Sequence, residues 1–148
     1  MKIYFDTCCY GRQWDDQDKP EISAETTAII TIIKTCRDDG YEIWGSGAVK
    51  FELGNIPHDH PNRADIIGFY KDTVNKRYNL TQADFARARE LQTQGIGAID
   101  SQHMAAAEAI GTDVLLTVDE PFLKRIAKKN LSEVQIVNPL TYLAGGAI

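Results

Sequence analysis

The sequence predicts an α/β domain in three layers, with helices on both sides of a central, mostly parallel sheet. Short apolar runs of strand length alternate with stretches of helical periodicity along the whole chain. Two acids, Asp6 and Asp119, stand just past the ends of two of those runs, at the rim where open α/β sheets receive ligands. The length, 148 residues, suits one domain spanning 1–148 that encloses a core without staples.

The first strand is read at about 2–6, where "IYF" runs into Asp6. The polar stretch "GRQWDDQDKP" follows as a loop, and Pro20 suits the first turn of a helix over about 20–38. Ile22, Ile29, Ile32, Ile33 and Cys36 recur at helical spacing and are expected to face the sheet, with Gly40 ending the helix. "YEIWGS" reads as the second strand, and Ser46 as the cap of a short helix that carries Glu52 and Leu53. Pro57 and Pro61 punctuate the loop "NIPHDHPNR"; a helix over about 63–74 and an extended piece, "KRYNL", come next. Thr81 with Asp84 forms a capping-box pattern for a helix running to about Gln94. "GAIDSQHMAAAEAIG" is an alanine-rich helix closed by Gly111. "DVLLT" is a buried strand, about 120–129 a helix, "VQIV" the last strand, and a short helix begins near Pro139.

Hydrophobic residues make up 43% of the chain and charged residues 25%, a balance that predicts a folded globular protein. No apolar run approaches the roughly 20 residues that span a bilayer, and Asp6 and Arg12 interrupt any leader-like segment, so the expected location is the cytoplasm, with no membrane partner. Cys8, Cys9 and Cys36 lack metal-site spacing and are read as packed free thiols. If the first strand continued through Cys8 and Cys9, their side chains would point apart. Sixteen Lys and Arg against 21 Asp and Glu leave a formal charge of −5, which argues against coating nucleic acid by bulk charge. It leaves open a nuclease whose carboxylates hold cations.

Glu52 and Asp100 add to the two strand-end acids, each on a helix otherwise poor in charge. An isolated carboxylate in apolar surroundings is costly and tends to protonate. A divalent cation reverses that preference. Any one of these acids taken alone reads as a cap or turn residue; the set of four carries the signal, provided the fold brings them together.

Four segments in order resemble the PIN-domain family, in particular its small VapC-like ribonucleases. They are "IYFDTCCYGR", "AVKFELGNI", "GAIDSQHMAAAEAIGTDVLLTVDEPFLK" and "VQIVNPLTYL". The resemblance departs from the family pattern at Cys8 and Cys9, where many relatives carry Asn or Ser, and 57–79 matches nothing specific. It implies a PIN-like fold and a metal-dependent endoribonuclease that hydrolyses phosphodiester bonds as the toxin of a type II toxin–antitoxin pair. The implied partners are RNA, a small antitoxin and a second copy of the chain. Asp6, Glu52, Asp100 and Asp119 would converge on Mg²⁺ or Mn²⁺, hard cations that favour oxygen ligands. Asp6 and Asp100 would be the principal ligands, while Thr117, and less so Thr7, would orient a carboxylate or the attacking water. The alternatives are a PIN-like scaffold that binds without cleaving, and a nuclease for other single-stranded or structured nucleic acid.

His103, three residues after Asp100, shares its helix face but is read as a packing residue, because Mg²⁺ rarely takes imidazole. His58 and His60 read as surface residues, and Asp15, Asp16 and Asp18 as a solvated loop. Arg12, Lys50 and the cluster Lys124, Arg125, Lys128 and Lys129 are the candidate phosphate contacts. A receiver-type phosphoacceptor or a haloacid-dehalogenase-type phosphatase would need a second early acid beside Asp6, and Asp6-Thr7-Cys8 offers none.

Overall fold

The first strand stops one residue short of Asp6, and that early stop sets the geometry of the rim. The computed structural model describes residues 1–145. Its elements are β1 (Lys2–Phe5), α1 (Thr7–Gly11), a 3₁₀ turn (Arg12–Trp14), α2 (Pro20–Asp39), β2 (Glu42–Ser46), α3 (Gly47–Gly54) and α4 (Arg63–Thr73). They continue as β3 (Lys76–Tyr78), α5 (Gln82–Thr93), α6 (Ala98–Ile110), β4 (Val114–Leu116), α7 (Glu120–Ala127), β5 (Gln135–Val137) and α8 (Pro139–Leu143). The strands form one sheet in the order β3-β2-β1-β4-β5, and every pairing is parallel. Helices flank the sheet, as the alternation of patterns predicts.

The central strands are apolar throughout because parallel strands under helices are buried on both faces. Ile3, Tyr4 and Phe5 of β1 and Val114, Leu115 and Leu116 of β4 are at most 1% exposed. They are in register, Ile3 beside Val114 and Phe5 beside Leu116. From α2, Ile29, Ile32, Ile33 and Cys36 enter the core at helical spacing. From α6, Met104, Ala106 and Ala107 do the same. Gly111 ends α6 at φ +76°, the left-handed backbone that a C-terminal cap uses, with its N–H on Ala107 and Glu108 carbonyls. Ser46 accepts hydrogen bonds from the N–H groups of Ala48 and Val49, and Thr81 and Asp84 form the reciprocal capping box.

Two local readings change. Asp6 donates its N–H to the Leu116 carbonyl and accepts at its own carbonyl from Cys9 N–H, so the chain turns into α1 at once. Cys8 and Cys9 are therefore helical neighbours, not alternating strand residues, and all three cysteines are free. Helix α1 is anchored by Tyr10, which is buried in edge-on contact with Phe5, Phe69 and Tyr70. The helix after Asp119 also stops at Ala127, two residues early.

The strand order reverses between β1 and β4. The chain builds β1, β2 and β3 outward on one side, then returns to lay β4 and β5 on the other. This switch point leaves a crevice beyond the carboxyl ends of β1 and β4. Asp6 follows β1 there, and Thr117 and Asp119 follow β4.

Candidate metal centre

Asp6 is held from three sides before any ligand is considered. It is 4% exposed. Thr117, fully buried, donates its hydroxyl to Asp6 Oδ2 at 2.7 Å, and the Cys8 thiol lies 3.5 Å from the same oxygen. The Thr117 hydroxyl in turn accepts from the Asp119 N–H at 3.1 Å. Asp119 Oδ1 caps α7 through Phe122 N–H at 3.3 Å, which sets the angle of its carboxylate. Asp100 comes from the first turn of α6. Asp6, Asp100 and Asp119 each bring a carboxylate oxygen into one group, all within 4.8 Å of one another.

Such proximity has an electrostatic consequence. Burial first, then the charges of Asp6 and Asp119, push the Asp100 carboxyl up to about 6. Three carboxylates in one small space favour a proton on one of them unless a cation supplies the countercharge. The donor set is all oxygen, which suits a hard divalent ion. On donor chemistry and charge alike, these residues fit a metal.

Glu52 enters from the other side. Its carboxylate groups with Asp6 and His103, again within 4.8 Å, while Asp100 and Asp119 belong to the first group alone. Asp6 is common to both. Thr7 donates its hydroxyl to Glu52 Oε1 at 2.7 Å, and His103 Nε2 lies 2.5 Å from the same oxygen and 3.2 Å from Asp6 Oδ1. Burial raises Glu52, but the hydrogen bond and charge of His103, with the Thr7 hydroxyl, outweigh it and hold the group below the usual carboxylate range. Burial likewise opposes a charge on His103, and the acids Asp6, Glu52 and Asp100 overcome it and raise its pKa.

His103 is more than packing. It is fully buried, as a packing role requires, yet its Nδ1 is 2.7 Å from the Tyr4 hydroxyl, itself 2.6 Å from Ser46 Oγ. A continuous polar chain thus runs from the cap of α3 through Tyr4 and His103 back to Glu52 on that same helix. The sequence signal for it was the three-residue spacing from Asp100, together with a tyrosine in an otherwise apolar strand.

Arg12, a candidate phosphate contact, is engaged elsewhere. Its guanidinium donates to Glu25 at 2.7 and 3.0 Å and to Asp15 at 3.0 Å. Lys50, Lys124, Arg125, Lys128 and Lys129 are exposed. Arg125 borders the acids: a Cβ placed on Gly97 would stand 3.5 Å from Asp100 Oδ2 and 3.8 Å from Arg125 Nη1. His58 and His60, with Asp15, Asp16 and Asp18, are exposed.

No protein-family model matches the chain, and no curated protein matches it in sequence. Among solved structures it is similar to a chain in the crystal structure of VapBC2 from Rickettsia felis bound to a DNA fragment from their promoter. That similarity has a TM-score of 0.64, covers 93% of this chain and 98% of the other, and comes with 14% sequence identity. The fold is PIN-like.

Proposed function

We propose that the chain is a divalent-metal-dependent endoribonuclease, the toxin of a type II toxin–antitoxin pair that acts in the cytoplasm. The observation that carries this reading is the meeting of Asp6, Asp100 and Asp119 in the crevice where the strand order reverses. The PIN-like fold and the similarity to a chain of a VapBC2 assembly support the toxin assignment, with a small antitoxin and a second copy of the chain as protein partners.

Asp6, Asp100 and Asp119 would hold Mg²⁺ or Mn²⁺, with Glu52 reaching the same centre beside Asp6. A bound ion of this kind neutralises charge on phosphoryl oxygens and lowers the pKa of water. The chain's own residues prepare that chemistry. Thr117 fixes Asp6 by occupying Oδ2, while Oδ1 lies 3.2 Å from His103 Nε2. Thr7 and His103 together hold Glu52 Oε1 in place and keep the group ionised. Asp119 is aimed by its capping bond, and Arg125 stands close enough to the acids to meet a phosphate of the incoming strand.

The test is cleavage of a mixed RNA pool with Mg²⁺, Mn²⁺ or EDTA, beside Asp6→Asn and Asp100→Asn. Each substitution should slow cleavage by about 10²–10³-fold, the cost of removing one preorganised charge-stabilising group, and EDTA should abolish it. Cleavage that persists in EDTA and in both variants ends the proposal. For the toxin role, the product of a neighbouring short reading frame should co-purify and suppress cleavage.

A further inference from the structure

A second concavity opens on the same rim of the sheet, beyond the carboxyl ends of β2 and β3. Ser46 and Tyr78, the last residues of those strands, line it. Its volume is about 610 Å³, within the range of small-ligand pockets. The charged groups of its wall are Lys50, Lys71 and Arg77, with no carboxylate among them, in a chain of formal charge −5. Among the described residues, none of the three forms an ion pair. The contrast is the cavity walled by Arg87 and Glu108, where the guanidinium is taken up by that glutamate at 2.8 and 3.0 Å.

The wall is built by the fold. Tyr70 is 6% exposed and lies against β2 only because Gly45 has no side chain; a Cβ there would collide with the phenol ring and hydroxyl. Arg77 stands beside that hydroxyl and offsets part of the pKa rise that burial imposes on it. Tyr78 is fixed by donating its hydroxyl to Asp84 at 2.5 Å, and Ile67 supplies apolar surface next to the rings. Helix α3 separates this pocket from the acids. Lys50 and Glu52 are two positions apart on it and so point to opposite sides.

Three cations without countercharges beside an aromatic and aliphatic wall match an anion that carries a flat apolar group. Nucleotides in single strands are bound in this way, by cations tracking the phosphates and by aromatic side chains under the bases. We propose that this pocket holds a nucleotide of the substrate strand flanking the cleavage point. Its phosphate would lie against Lys50, Lys71 and Arg77, and its base against Tyr78 and Ile67. The proposal rests on the nuclease reading above.

The experiment measures KM and its salt dependence for cleavage of a single-stranded RNA of about ten nucleotides. It compares the wild type with a triple variant, Lys50→Gln, Lys71→Gln and Arg77→Gln, and with Lys34→Gln, an exposed lysine on α2, as the control for bulk charge. The triple variant should raise KM about tenfold or more, and its log–log salt slope should be shallower by about 0.7, the share of the one phosphate it no longer holds. Lys34→Gln should change neither. An unchanged KM and slope in the triple variant, with the wild type cleaving normally, overturns the pocket and spares the nuclease. A wild type that cleaves no RNA overturns both.

Discussion

Asp100 is the residue at which the mutual repulsion of the clustered acids is most legible. Its carboxyl is pushed up to about 6 by burial and by two neighbouring carboxylates, whereas an unfolded Asp titrates near 3.9. Between those values the folded chain holds a proton that the unfolded chain has lost. Stability must therefore fall as pH rises through that window, with the penalty complete above about pH 6. In EDTA, the difference in urea midpoint between the wild type and Asp100→Asn should widen from about pH 4 to pH 6.5 in favour of the variant. Taking the difference removes the opposite contribution of Glu52, whose lowered pKa stabilises the fold above its own titration range. At pH 7, Mn²⁺ should raise the midpoint of the wild type more than that of the variant. A difference that stays flat with pH would mean that Asp100 does not feel its neighbours.

Among the elements, β2 and α4 make an unusually close approach, and it depends on one glycine. The Tyr70 ring occupies the space where Gly45 would carry a side chain. Gly45→Ala should cost about 1–3 kcal/mol, the range for overpacking a filled site, seen as a lower urea midpoint at unchanged slope. Gly54→Ala, at the end of α3 with nothing within 4 Å of its Cβ position, should show no loss. Most element boundaries were legible because their signals are local. Pro20 at the start of α2, Ser46 before α3, the Thr81–Asp84 box and Gly111 each act within a turn of themselves. The turn after Asp6 was not, because Tyr10 is ordered by Phe69 and Tyr70, some sixty residues on.

At the level of the whole molecule, Glu25 ties together parts of the chain that no short-range pattern connects. It is 2% exposed on α2, receives Arg12 from the 3₁₀ turn, and accepts from Asn138 Nδ2, just past β5, at 2.5 Å. Glu25→Ala would leave the Arg12 guanidinium with Asp15 alone and the Asn138 amide without its acceptor. The expected loss is roughly 2–3 kcal/mol in urea unfolding, below the figure for a fully buried pair because Arg12 keeps part of its surface in water. A loss under about 0.5 kcal/mol would place this pair with the surface ion pairs. It also explains why Arg12, a sound phosphate contact on position alone, is committed to the scaffold.

The alternation of strands and helices, the caps, and the placing of Asp6 and Asp119 just past strand ends all follow from backbone preferences and side-chain periodicity, which act over a few residues. That β1 lies beside β4 follows from none of these. It is a property of the assembled sheet, and it alone carries Asp6 to Asp119 across more than a hundred positions. The same assembly turns His103 toward Glu52, hands Arg12 to Glu25, and gathers Lys50, Lys71 and Arg77 around one cavity. Each is a meeting of distant side chains, decided by how the whole core packs.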